Sequence, residues 1–151
     1  MTANRTTLSV RPPPPIQLGD LRASVERHRA SLLERLGAGE DGMALGRANA
    51  RFLDACFATR FDVAAKAAAV PSSGLAVAAV GSFGRGAVAL RSDADIVVVV
   101  RPRLIGSQQA AAFAEALLYP LWDATLAVGH QVVPYHAVKM SSVENRCPSR
   151  S

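Results

Sequence analysis

Two aspartates separated by one residue, Asp93 and Asp95, stand at the head of the chain's most β-branched apolar run, DIVVVV. In an extended segment, residues i and i+2 point to one face about 7 Å apart. Two carboxylates so placed repel each other and are costly beside a buried strand. A divalent cation relieves that conflict. Hard oxygen donors suit Mg²⁺, which takes one or two carboxylates together with substrate phosphates. Two such ions about 4 Å apart can share the pair and clamp a phosphoryl transfer. Taken alone, a D-x-D is also what a turn entering a strand looks like, since Ser and Asp favour Asx turns.

A second group of residues lies upstream. Gly81-Ser82 follows the apolar run LAVAAV and opens GSFGRG, residues 81–86. Glycine lets a phosphate approach the backbone closely, and N–H groups at a helix start attract anions. The Ser82 hydroxyl can donate to a phosphate oxygen. Arg85, between Gly84 and Gly86, supplies a planar cation with room around it. Each half is weak evidence. Together, an apolar strand, G-S-x-G-R-G, a spacer and then Ser92-Asp93-x-Asp95 running into another apolar strand bring phosphate donors and metal ligands to neighbouring strand ends.

The elements that must hold these residues follow from periodicity. Leu18, Leu21, Val25, Leu32 and Leu36 recur at helical spacing between charged residues, so a helix with one buried face is predicted over 16–36. GAGED breaks it, and Asp41 is placed to cap a second helix with the stripe Leu45, Phe52, Leu53, Cys56, Phe57 and Phe61. PSSG at 71–74 stops that helix. Strands are predicted at 75–80, 95–100 and 127–133. Four consecutive valines disfavour helix and suit a sheet covered on both faces. A further helix is expected over 107–126, kinked or restarted at Pro120. The order predicts an α/β (α+β) chain: a small mixed sheet preceded by two helices.

Composition narrows the class. The chain has 151 residues, enough for one core. No apolar run approaches the roughly 20 residues a membrane span needs, and the first residues, MTANRTTLSV, lack a signal-peptide core. A cytoplasmic protein with no membrane partner is expected. The net charge of +5 permits attraction to phosphates, but no basic stripe is interleaved with aromatics, so a nucleic-acid partner is not expected. Cys56, in a helical pattern, reads as a buried free thiol. Cys147 lies in a polar tail, and no disulfide between them is expected. His28, among arginines, reads as solvated, while Tyr119 and Trp122 read as core. His130 reads as a strand histidine with a structural hydrogen bond, the alternative being a place near the phosphates. His130, His136 and Cys147 lack the spacing of a zinc set.

The stretch from Gly81 to Asp95 resembles the signature of the polymerase-β-like nucleotidyltransferase superfamily. Within it, the chain is most similar to the N-terminal domain of the PII uridylyltransferase/uridylyl-removing enzymes. Those read G-G-Y-G-R-G-E-L-x-P-x-S-D-x-D, followed by L-W-D-x-G-L-x-V-G-H-S-V-R-T. Here the second block is LYPLWDATLAVGHQVV, Leu118 to Val133. The resemblance is strong over Leu75 to Val133 and diffuse over the helices before it. Ser82 stands for the second glycine, Phe83 for tyrosine, Ala87 for glutamate and Leu90 for proline. After His130 the sequences part.

The resemblance implies a fold of the nucleotidyltransferase type and Mg²⁺ held by Asp93 and Asp95, which are also the catalytic residues. It implies phosphate contacts from Gly81, Ser82, Gly84, Arg85 and Ser92, with UTP or another nucleoside triphosphate as donor. The acceptor it implies is a tyrosine hydroxyl of the PII nitrogen-signalling protein. The third acidic residue of the family, its phosphohydrolase domain and its ACT domains are expected beyond the end of this chain. Of the remaining acids after the motif, Glu115, Asp123 and Glu144, none is assigned to that role, and Asp123 is read as structural. Two alternatives stand beside transfer to PII: a truncated, catalytically silent fragment, or a stand-alone nucleotidyltransferase with another acceptor. The expected organisation is a disordered Pro-rich lead at 1–15, helices at 16–70, an incomplete nucleotidyltransferase core at 71–138 and a disordered tail at 139–151.

Overall fold

A computed structural model describes residues 20–138. The Pro-rich lead at 1–15 and the polar tail at 139–151 lie outside the described residues. Helix α1, Leu21–Gly37, starts at Asp20, whose carboxylate accepts from the Ala23 N–H at 3.2 Å. In the turn that follows, Arg35 grips Glu40 with two hydrogen bonds of 2.7 and 2.5 Å. Helix α2, Gly42–Ala67, is capped as expected by Asp41, which accepts from the Ala44 N–H at 3.1 Å. Its predicted stripe Leu45, Phe52, Leu53, Cys56 and Phe57 is buried, and Phe61 packs at the edge of the core. Cys56 is a free thiol, and burial pushes its pKa up to about 12.

A 3₁₀ turn, Ser72–Gly74, leads into strand β1, Leu75–Ala79. A single helical turn, α3 (Gly81–Gly84), then precedes strand β2, Ala94–Val100. Helix α4, Ser107–Asp123, and strand β3, Val128–Pro134, complete the order. Glycine offers no capping side chain at 106, but the Gln109 side chain reaches back and accepts from the Gly106 N–H at 3.1 Å. The sheet is three-stranded and mixed, in the order β1-β2-β3. β1 runs antiparallel to β2, with Ala79 opposite Ile96. β3 runs parallel to β2, with Asp95 beside Gly129.

The helices and the sheet share one apolar cluster. Phe113, Leu117, Leu118 and Leu121 of α4 are at most 1% exposed. Full burial of such a side chain contributes roughly 1.5–3 kcal/mol. Along β2, Ala94, Ile96, Val98 and Val100 are buried under the helices, while Asp95 is exposed and Val97 and Val99 are half-buried. The expectation of a sheet covered on both faces is therefore corrected: among the described residues, one face is covered and the other is open. Valine runs serve either case, because branching at Cβ sets strand preference whichever face is buried.

Other expectations change too. Helix α4 runs through Pro120 without restarting. Leu36 is 52% exposed, off the buried stripe of α1. Tyr119 and Trp122 are 54% and 38% exposed, paired edge to face on the rim instead of in the core. No helix among the described residues is long and apolar enough to cross a membrane.

Candidate active site

The glycine bend is built by what a side chain would hit. Gly81 has φ +59°, in the left-handed region that favours glycine. At Gly84 a Cβ would lie 2.7 Å from the Ala79 carbonyl oxygen, so the turn of α3 closes against the end of β1 only with glycine there. Phe83 is buried and tilts against Phe57 of α2, anchoring the bend to the core. Ser82 is half-buried and Arg85 exposed, both following the strand end.

The loop from the bend to β2 is tied down by Val88. Its N–H donates to the Gly46 carbonyl at 3.0 Å. Its carbonyl accepts from Asn49 Nδ2 at 3.1 Å. Because the Asn49 amide nitrogen is so used, its Oδ1 accepts from His28 Nε2 at 3.1 Å, which sets the neutral His28 tautomer with the proton on Nε2. His28 is stacked on Phe52 with centroids 3.9 Å apart. The reading of His28 as solvated is thus corrected. Burial lowers its pKa, with Arg35 and Arg29 adding to the effect against the Asn49 bond. No sequence pattern marks Asn49; its role depends on a loop 39 positions away.

Asp93 and Asp95 sit at the entrance to β2, both exposed, with buried Ala94 between them. Within β2 that alternation puts the Asp95 carboxylate on the open side of the sheet, while Asp93 precedes the strand at the end of the turn. The Asp95 carbonyl accepts from the Val80 N–H at 2.9 Å, joining β2 directly to the residue before the bend. A Cβ on Gly81 would lie 3.4 Å from Asp95 Oδ2, so the carboxylate stands against the bend. Among the described residues, neither aspartate side chain has a hydrogen bond or an ion pair to a protein cation. Their oxygens remain available as hard donors, the set that suits a divalent ion bridging to phosphates. Ser92, in the turn before them, donates its N–H to Ala89 at 3.0 Å and is exposed.

The structure thus brings Gly81 and Asp95 into contact range and holds Ser82, Gly84, Arg85, Ser92 and Asp93 on the adjoining turns. Among the described residues, no group of three or more His, Cys, Asp or Glu is placed to hold a metal ion. Glu115 and Asp123 are exposed on α4. A cavity of about 340 Å³ lies on the helical side of this loop, lined by His28, Arg29, Phe52, Arg91 and Ser92; neither aspartate lines it.

The LWD and VGH blocks hold β3 in register. Trp122 Nε1 donates to the Val128 carbonyl at 3.2 Å, and its ring lies 5.8 Å from that of His130. His130 pairs with Ile96, whose side chain is on the covered face, so it points away from Asp95. This register sets His130 on the face opposite Asp95, and among the described residues the structural hydrogen bond expected of its ring is not found. The neighbour that Asp95 does have on β3 is Gly129.

Comparison with known proteins gives the family. The model described as "Putative nucleotidyltransferase DUF294" matches residues 26–137. The bifunctional uridylyltransferase/uridylyl-removing enzyme of Ruegeria pomeroyi is 37% identical over 110 residues, 68% of this chain. The chain spans 12% of that relative's length. No solved structure matches. The family match takes in α2, the bend, the D-x-D strand and β3 together, and on it the chain belongs to the DUF294 nucleotidyltransferase family.

Proposed function

We propose that this chain carries the nucleotide-transfer site of a uridylyltransferase, moving UMP from UTP to a tyrosine hydroxyl of the PII nitrogen-regulatory protein with Mg²⁺. The observation that carries the reading is the contact between the Gly81 bend and the Asp95 carboxylate, which sets a phosphate cradle against a hard-oxygen ligand. The 37% identity to an enzyme named for uridylyl transfer supports UTP and, through that enzyme's class, PII. Residues 71–138 carry the nucleotidyltransferase core, preceded by the helices of 16–70.

Asp93 and Asp95 would hold Mg²⁺, which supplies charge neutralisation for the triphosphate when bound. Gly81 leaves the backbone open for close approach of the β and γ phosphates, and Gly84 serves the cradle by letting the turn close against the end of β1. Ser82 donates its hydroxyl to a phosphate oxygen, Arg85 adds a planar cation from the exposed end of the turn, and Ser92 offers its hydroxyl from the turn before Asp93. The acceptor oxygen forms its bond to the α-phosphorus as the bond to pyrophosphate breaks, and the tyrosine proton leaves to solvent or a nearby base. The open sheet face beside Asp95 gives an acceptor side chain its approach.

Incubation with α-labelled UTP, Mg²⁺ and PII tests the reading. Wild type is expected to label PII, and Asp93→Ala and Asp95→Asn to label it more than about 100-fold more slowly. Equal labelling by wild type and both variants overturns the site assignment. Equal labelling of a PII variant lacking the tyrosine overturns the acceptor.

A further inference from the structure

We propose that Gly129 is a positioning residue for Asp95: the missing side chain on β3 is the space that holds the Asp95 carboxylate toward the Gly81 bend. The inference rests on the reading of Asp95 as a metal ligand and assigns a role to the glycine of the VGH block. Asp95 and Gly129 are direct partners across the parallel β2–β3 pair. A Cβ built on Gly129 would lie 2.5 Å from Asp95 Oδ1 and 3.7 Å from its Cγ. On the other side, a Cβ on Gly81 would lie 3.4 Å from Oδ2. The two carboxylate oxygens thus each face a glycine, one on β3 and one at the bend. With no hydrogen bond or ion pair to the Asp95 side chain among the described residues, steric room is what sets its direction.

Gly129 does not have the positive φ that reserves a position for glycine. Alanine fits its backbone, so the clash falls on the Asp95 side chain, which can rotate to another staggered well. Gly→Ala at a compatible strand position also removes unfolded-state freedom and raises stability. A glycine kept for the strand and a glycine kept for the carboxylate therefore predict opposite signatures. The first loses stability on substitution. The second keeps or gains stability and loses metal binding.

The test is Mn²⁺ titration of the full chain in the presence of UTP, followed by electron paramagnetic resonance, with thermal melts alongside. For Gly129→Ala, the Mn²⁺ dissociation constant is expected to rise about 10-fold or more, with a melting temperature equal to or above wild type. In the double variant Gly129→Ala/Asp95→Asn, the alanine is expected to add nothing to the loss caused by Asp95→Asn. If Gly129→Ala binds Mn²⁺ like wild type while Asp95→Asn does not, the positioning role fails and the metal site stands. A melting temperature lowered by about 10 °C or more also overturns the role, because the strand and not the carboxylate then absorbs the clash. If Asp95→Asn binds Mn²⁺ like wild type, the metal reading itself fails and the role of Gly129 falls with it.

Discussion

His28 shows how one side chain is coupled to the loop that feeds the candidate site. Burial holds its pKa below the usual 6.5, and the neutral ring donates to Asn49, which in turn holds Val88. The sign of the linkage follows from that lowering. Below pH 6.5 the unfolded chain takes up a proton that the folded ring resists, so stability present above that pH is lost as pH falls toward the folded value. The melting temperature of wild type is expected to drop more between pH 7 and pH 5.5 than that of His28→Gln, which keeps a donor but does not titrate. Parallel pH dependences in the two proteins would contradict this. The candidate site residues could be singled out in the sequence, because Gly81, Ser82, Asp93 and Asp95 stand in a joint spacing that chance seldom produces, and the fold brings Gly81 and Asp95 together. Asn49 was not legible, since its partners are brought to it by folding. Gly129 was visible inside the VGH block, but nothing in a linear string says which side chain its emptiness accommodates.

Helix α4 carries its own exception. Pro120 has no N–H to donate to the Ala116 carbonyl one turn earlier. Arg60 of α2 supplies the missing donor, its Nη2 lying 3.3 Å from that oxygen. The freed carbonyl is thus satisfied, and of the kink or restart that the sequence predicts, the restart does not occur. The guanidinium is partly enclosed in doing so, and its Nε is buried without a partner among the described residues. Arg60→Ala is expected to cost about 1.5–3 kcal/mol, the range for losing a charge-assisted hydrogen bond. In a Pro120→Ala background, where the helix regains its own bond, the cost is expected to shrink by at least about 0.5 kcal/mol. A double-mutant cycle by urea denaturation measures this directly, and strict additivity would break the link. Elsewhere the elements followed local signals. Asp41 capped α2 and the glycine-rich bend closed β1, because caps and turns depend on a few adjacent residues.

For the molecule as a whole, the sheet sets the order of stability. β2 is bonded on both sides, whereas β1 and β3 each have one strand neighbour within the sheet. Native-state hydrogen exchange is expected to be slowest in Ile96–Val100, with faster exchange in β1 and in Gln131–Val133, down to the level of local fraying at the ends. Exchange in β3 as slow as in β2 would mean that its outer edge is covered in solution, as by a second copy of the chain. The open face of Ala76, Ala78, Val97 and Val99 lies beside the candidate site. The helices close the opposite face, and nothing in the valine run distinguishes the two.

The linear sequence determined the succession of elements, the bend and the pair of aspartates, because apolar period, glycine breaks and short motif spacings act through neighbours along the chain. Only the tertiary structure decided that β3 lies parallel beside β2 with Gly129 next to Asp95, that His130 turns away, that Trp122 stays on the rim and that one sheet face is left open. Strand side chains alternate with a period of two, so a shift of one residue in pairing would exchange Gly129 for His130 beside the carboxylate. That register is settled by how distant strands and helices pack together, and no local stretch of residues contains it.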